Sequence, residues 1–481
     1  MFDVAIIGCG IVGAALAFEL SQYDLSVAVL EKENDVSCGA SRANSGILHA
    51  GYDPQPGTLM AKLNVEGSIL SEKLCRELGV VYGHCGSLVL AFSEKEMQTA
   101  AELYERGVQN GVKGLEIWDA ETTKNREPGI SEKVAGALYA PSAAVVIPWE
   151  YTLALAETAV CNGVDIRLES AVTGIEKMVD GYRLQTQTGN VEARYVVNAA
   201  GLYADEIHNM ISAAAFRIIP ERGEYYLLDK KMVNMVRHVL FQCPTAAGKG
   251  VLIAPTTHGN VIIGPNNEQI DSRDDVATTG QGLETVRNHA QKSVPHLPLN
   301  ENIRNFSGIR ASSDQNDFII AEAKDAPGFF DLAGIKSPGL TAAPAIAKMA
   351  VELLEGAGLK LKEKPKFLPR PKRTHFTELR QDEKRALIEN RPEFGHMICR
   401  CERVTEGEIL EALHAPIPPR SVDAIKRRCN AGLGRCQGGF CAPRVVELLA
   451  RELKISPLEV LQDTAGSYIL SSETKEGSCH E

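Results

Sequence analysis

The feature that most constrains the fold lies at the very start of the chain. A strand-like run over 3–7 ends in Gly8-Cys9-Gly10-Ile11-Val12-Gly13, and small, apolar residues then predict a helix over 11–21. A second apolar run, 27–31, closes on Glu31, 21 positions after Gly10. Glycines at this spacing allow a tight turn and a close backbone approach to a pyrophosphate at the helix N-terminus. An acid ending the next strand accepts from ribose hydroxyls. Strand, turn, helix, strand and acid together predict a dinucleotide site with Gly8, Gly10, Ile11, Val12, Gly13 and Glu31 at the nucleotide half. No second turn of this kind occurs in the 481 residues.

Strand-like and helix-like runs continue to alternate up to about residue 360, the pattern of an α/β chain. Further strands are expected at 87–91, 195–199, 225–229, 250–254, 260–264 and 329–332. Further helices are expected at 59–78, 94–110, 148–162, 279–293 and 342–355. Composition then shifts abruptly, because residues 360–373 carry seven Lys/Arg, one acid and three prolines. Proline and like charges resist compaction, so an exposed linker is expected. Short helices follow at 405–413, 421–429 and 443–453, and residues 466–481 are expected to be a frayed tail.

A net charge of −11 argues against a nucleic-acid partner, since neutralising phosphates needs a basic face. The opening MFDVAIIG enters the first strand directly, so no signal peptide is expected. No apolar run approaches the roughly 18 residues of a spanning helix. Direct membrane insertion is therefore not expected. The expected location is the cytoplasm, with membrane association only through a partner. In that compartment twelve cysteines read as metal-binding or catalytic rather than as disulfides.

Four of those cysteines are clustered. Cys399 and Cys401 read C-R-C, thirty-four residues intervene, and Cys436 and Cys441 read C-Q-G-G-F-C. Thiolates bind iron–sulfur clusters or zinc. C-x-C is tighter than the usual zinc pair and suits a [2Fe–2S] cluster, whose irons are held apart by sulfides. Zinc and unmetallated thiols stay open as alternatives. Arg400, Arg403, Lys426, Arg427, Arg428 and Arg435 are expected to stabilise the thiolates by charge.

Several separate motifs identify the front part. The loop Ala40-Ser41-Arg42-Ala43-Asn44-Ser45-Gly46-Ile47-Leu48-His49-Ala50-Gly51 is rich in small and hydroxyl residues, and Asn198-Ala199-Ala200-Gly201 closes a later strand. With PERGEYYLLD at 220–229, IAPTTHGNVIIGP at 253–265, FSGIRA at 306–311 and AGIKSPGLTAAPAIA at 333–347, residues 1–355 resemble the D-amino-acid-oxidase-like flavoproteins. The matching branch holds anaerobic glycerol-3-phosphate dehydrogenases and L-2-hydroxyglutarate oxidases. The resemblance implies a Rossmann-like FAD-binding domain with an interleaved antiparallel-sheet substrate domain, and non-covalent FAD. It places Val172 near the adenine, while the small and hydroxyl residues Ser41, Asn44, Ser45 and Gly46 of the loop, with Ala200 and Gly201, are expected to pass close to the cofactor. Gly334, Gly339, Leu340 and Thr341 would lie beneath the flavin ring. Oxidising a small anionic alcohol needs a base and a cation. His49 is the candidate base and His258 the second. Arg310, Arg222 and Lys336 are candidates for holding the anion or tuning the flavin.

The segment ICRCERVTEGEILEAL…IKRRCNAGLGRCQGGFC is similar to the bacterioferritin-associated-ferredoxin-like [2Fe–2S] domain, with Cys399, Cys401, Cys436 and Cys441 at its ligand positions. The expected organisation is an FAD-dependent oxidoreductase domain over 1–360, a linker over 361–395, a small helical [2Fe–2S] domain over 396–465 and the tail. Within the first, the FAD-binding parts are about 1–80, 145–210 and 300–360, and the substrate parts about 81–144 and 211–299. The expected reaction is oxidation of sn-glycerol 3-phosphate to dihydroxyacetone phosphate, with electrons passing through the cluster to a partner subunit. An L-2-hydroxy acid such as L-2-hydroxyglutarate is the alternative substrate. A non-catalytic electron-transfer subunit is the alternative of another class.

Overall fold

Phe2–Ile7 is buried at residues 4–7 on both faces, and it pairs in parallel with Val27–Leu30 on one side and Gly189–Asn198 on the other. The computed structural model that shows this describes residues 1–244 and 250–473. Of the expected tail, residues 474–481 lie outside the described residues. Asp165–Arg167 extends the parallel set beyond Val27–Leu30, and Phe329–Ala333 pairs in parallel with the end of Gly189–Asn198. A ribbon of Val172–Met178 and Gly181–Thr186 adds antiparallel strands to the same sheet.

The helix Ile11–Leu20 is apolar all round, and every residue but Glu19 is buried. Such a helix needs cover on all sides. It receives that cover from the sheet and from the helices Pro148–Cys161 and Gly339–Gly356. A Cβ on Gly13 would stand 2.0 Å from the Gly8 carbonyl oxygen, so only glycine lets helix and turn approach this closely.

A second sheet is built on the long pair Ile218–Leu228 and Asn302–Ser313, antiparallel along their full length. Val261–Gly264, Leu252–Pro255 and Val239–Gln242 follow in order. Val239–Gln242 then joins Ser87–Ala91 in parallel, Gly136–Ala140 and Glu116–Asp119 form that edge, and Glu268–Gln269 pairs with Ile218–Leu228. Alternation between the two sheets along the chain interleaves the two parts of the front domain.

The C-terminal unit has its own core of Ile409, Ile425, Val445 and Leu449. It comprises the hairpin Met397–Cys399 and Val404–Thr405 and the helices Glu406–Leu413, Val422–Cys429 and Ala442–Leu453. Thr405 and Glu408 cap the first helix reciprocally. The basic segment before this unit is mostly exposed yet anchored. Buried Glu157 accepts from Arg370 at 3.3 Å and from Arg373 at 2.6 Å, and Asn162 Oδ1 accepts the Leu368 N–H at 2.8 Å. Charge that resists compaction in isolation is neutralised here by a carboxylate waiting on the front domain. Among the described residues, no helix is long and apolar enough to cross a membrane.

Candidate active site at the domain junction

One cavity of about 1480 Å³ runs through the junction of the two sheets. Its wall includes Gly8, Gly10, Ile11, Val12 and Glu31, together with Ser41, Asn44, Ser45 and Gly46 of the following loop. Val172, Ala200 and Gly201 line it as well, as do Gly339 and Leu340. Gly13, Gly334 and Thr341 stand behind that wall rather than in it.

The turn is built for close approach. Gly8 has φ +97°, and a Cβ there would meet the Ala199 carbonyl oxygen at 2.6 Å. The Glu31 carboxylate is buried and accepts the Cys9 N–H at 2.7 Å and the Glu33 N–H at 3.0 Å. Burial raises its pKa above the ordinary carboxylate value, and the two N–H donors oppose that shift. Ser41 Oγ accepts the Ile11 N–H at 2.8 Å, which ties the following loop to the helix N-terminus. Asn44 shapes that loop by accepting the Gly46 N–H at 2.8 Å and donating to the Ala40 carbonyl at 2.9 Å.

His49, Lys336, Arg310 and His258 all line the same cavity. The His49 N–H donates to Thr341 Oγ1 at 2.9 Å, its Nε2 lies 3.3 Å from Ser337 Oγ, and its ring stacks on Phe241 at 5.7 Å. These contacts hold the imidazole against the turn that precedes Gly339–Gly356. Arg310 donates to Asn267 Oδ1 at 2.6 Å and lies beside Tyr225. Tyr225 stacks on Phe306 at 4.7 Å, within 8° of parallel. Nothing in the sequence set Tyr225 or Phe241 apart from ordinary strand aromatics. His258 abuts the C-terminal unit, with Nε2 3.5 Å from Asn430 Nδ2. Burial, then Lys230 and His375, push its imidazole down to about 4, so it is neutral at neutral pH.

Arg222 does not join this group. Its guanidinium bonds Glu268 and Asp275 at 2.8 Å each and approaches Glu224 at 3.8 Å. Side chains alternate across a strand, so one residue's parity decides its face. Glu221, Tyr225 and Leu227 face the cavity, whereas Arg222, Glu224 and Tyr226 face the opposite side, toward the helix Gly280–Ser293. The expectation that Arg222 holds the substrate is therefore corrected: it neutralises carboxylates beneath the sheet.

The four cysteines come together as two pairs. Cys401 and Cys436 have their sulfurs 3.5 Å apart, and the Cys399 and Cys441 thiols are hydrogen-bonded. The Cys441 thiol, with the Gly432 and Glu402 N–H groups, draws the Cys399 pKa down against burial. Two thiol pairs match the two irons of a dinuclear cluster, each iron taking two thiolates. Cys429 stays apart, donating to the Ile425 carbonyl at 3.4 Å, with burial pushing its thiol up to about 12.

The basic residues around the cysteines are placed differently from expectation. Arg427 and Arg428 bind Asp35 of the front domain, Lys426 binds Asp423 at 2.8 Å, and Arg435 binds Glu301 at 2.9 Å. Four of the six charges are thus paired with carboxylates, three of them across the domain junction.

Residues 3–353 match the family model for FAD dependent oxidoreductases. The chain belongs to the FAD-dependent oxidoreductase family. Residues 397–451 match the BFD-like [2Fe-2S] binding domain. Its cofactors are FAD and a [2Fe–2S] cluster, and the close-approach turn, buried acid and paired thiols fit both. The chain is 52% identical over 476 residues to a glycerol 3-phosphate dehydrogenase from Caloramator mitchellensis, covering 99% of each chain. It is similar to the dithionite-reduced, FAD-bound L-alpha-glycerophosphate oxidase from Mycoplasma pneumoniae, with 32% identity, a TM-score of 0.72 and coverage of 76% and 97%. The chain is 34% identical over 272 residues to an L-2-hydroxyglutarate dehydrogenase from Escherichia coli, 55% of this chain and 64% of the relative.

Proposed function

We propose that this oxidoreductase converts sn-glycerol 3-phosphate to dihydroxyacetone phosphate and delivers the electrons to an acceptor protein. The observation that carries the reading is a single cavity lined by the glycine turn, His49 and Arg310, with Leu433 of the cysteine-bearing unit in its wall. Arg310 binds the phosphate through charge-assisted hydrogen bonds, while Asn267 and Tyr225 hold the guanidinium in place. His49 takes the hydroxyl proton as the carbinol hydrogen leaves as hydride, and Ser337 and Phe241 orient its ring. Lys336 adds positive charge at the cavity wall. When bound, FAD supplies the hydride acceptor and the [2Fe–2S] cluster a one-electron relay. Cys399, Cys401, Cys436 and Cys441 would hold the cluster.

Support for the substrate comes from the full-length similarity, which spans both the flavin part and the cysteine unit. Anaerobic addition of glycerol 3-phosphate or L-2-hydroxyglutarate, followed at the flavin absorbance band, tests the choice. Glycerol 3-phosphate is expected to bleach the flavin and L-2-hydroxyglutarate to leave it yellow. The reverse pattern establishes the hydroxy-acid reading, and no bleaching by either leaves an electron-transfer subunit.

A further inference from the structure

The segment 31–42 carries two residues of the nucleotide site, Glu31 and Ser41, and it is held from two sides. On the inner side it bonds the glycine turn. The Cys9 N–H donates to Glu31, the Ser37 N–H donates to the Cys9 carbonyl at 3.1 Å, and the Ile11 N–H donates to Ser41. On the outer side its stretch 34–42 is held by the C-terminal unit. Arg428 binds both oxygens of Asp35, at 2.8 and 2.9 Å, and Arg427 binds Asp35 Oδ2 at 2.9 Å. Asp463 then joins Arg427 at 2.9 Å, pairs with Arg42, and accepts from Asn34 Nδ2 through its carbonyl at 2.7 Å.

This junction is buried. The Asp35 side chain is 1% exposed, that of Arg428 0% and that of Arg427 4%. Burial disfavours the Asp35 charge, but Arg428 and Arg427 outweigh it and hold the carboxyl down at about 2. A buried pair of this kind contributes little net stability against an apolar replacement, yet removing one partner strands a charge. Such a network makes the docking geometry specific. It is also continuous with the cofactor site, because Arg42, Lys426, Arg427 and Asp463 line the same cavity as Gly8 and Glu31.

We propose that the cysteine-bearing unit is a structural wall of the FAD site. It docks through Asp35 onto the segment 31–42, so that FAD retention and domain docking are coupled. Asp35, Arg427, Arg428 and Asp463 are positioning residues: they act on the cofactor through Glu31 and Ser41. The unit thus has two functions, relaying electrons and closing the nucleotide half of the flavin cavity. Coupling of this kind is reciprocal. Weakened docking lowers FAD affinity, and bound FAD stabilises the docked Val422–Cys429 helix.

The inference rests on FAD occupying this cavity, which titration of the wild-type apoprotein with FAD tests first. Failure of the wild-type chain to bind FAD contradicts the cofactor assignment itself. The coupling is tested on full-length variants by flavin fluorescence, with iron content and far-UV circular dichroism as checks of folding. Asp35→Asn is expected to raise the FAD dissociation constant about tenfold or more, within the usual range of coupling between sites. Arg420→Ala removes an exposed cross-domain pair with Glu169 and is expected to change it less than about twofold. A folded, iron-replete Asp35→Asn chain with wild-type FAD affinity overturns the proposal. If that variant does not fold, Asp463→Asn decides: a rise of about threefold or more supports coupling, and no rise overturns it. Hydrogen exchange supplies the reciprocal readout. FAD addition is expected to slow exchange across Val422–Cys429, and unchanged exchange contradicts the coupling.

Discussion

Two arginines on neighbouring strands have opposite fates. Arg310 pairs in register with Glu221, and Arg222 with Ile309, yet only Arg310 reaches the cavity. The SGIR motif favours Arg310 as the anion holder over Arg222 of RGEY, but neither motif shows which face its arginine takes, because strand parity becomes informative only once register is known. Arg310→Ala should raise the Michaelis constant for glycerol 3-phosphate by about 10- to 100-fold, the scale of a lost charge-assisted hydrogen bond. Arg222→Ala should leave that constant near wild type and lower the melting temperature, because Glu224 is fully buried beside it. Steady-state kinetics and thermal melts on both variants separate the two roles, and exchanged phenotypes would refute the assignment. His49→Gln should slow flavin reduction by about 10²- to 10⁴-fold, the range of a general base. Stopped-flow absorbance measures that step directly, and a wild-type rate removes His49 from proton transfer.

At the scale of elements, the helices were more legible than the strands. The helix-like runs at 59–78, 94–110 and 148–162 match Leu59–Leu78, Glu94–Gln109 and Pro148–Cys161 to within a residue. Asn302–Ser313 is hidden in the sequence, because NIRNFSGIRASS has neither an apolar run nor clean alternation. It is a strand because Ile218–Leu228 pairs with it along its whole length, a tertiary effect absent from local pattern. The glycine turn and Glu31 were legible because their function fixes residue type and spacing. The loop just beyond them carries an acid-sensitive element. Asp35 has a folded pKa of about 2, below its ordinary 3.8. Its ion pair therefore contributes fully above about pH 4 and is lost as pH falls from about 4 toward 2, on the order of 2 kcal/mol in all. Thermal melts of wild type and Asp35→Asn should converge over that interval. A constant difference down to pH 2 would show that the charge on Asp35 does not matter.

Across the whole molecule, both functional units were legible and their docking was not. The turn and the cysteine quartet each announce their chemistry within a short stretch. Asp35 and Arg428 are 393 positions apart, and each looks like an ordinary surface charge on its own element. Sequence proximity alone puts Arg427 and Arg428 beside the thiolates, and only the fold turns them to Asp35. Their burial against the front domain makes the molecule one docked body rather than two tethered parts. Cys399→Ser should therefore leave substrate-driven flavin reduction intact and stop delivery to an acceptor. The most direct test follows both cofactors in the wild-type chain after anaerobic addition of glycerol 3-phosphate, flavin by absorbance and cluster by electron paramagnetic resonance. Flavin bleaching together with a reduced [2Fe–2S] signal is the expected result. Bleached flavin with no cluster signal, in a sample where dithionite elicits that signal, would contradict it.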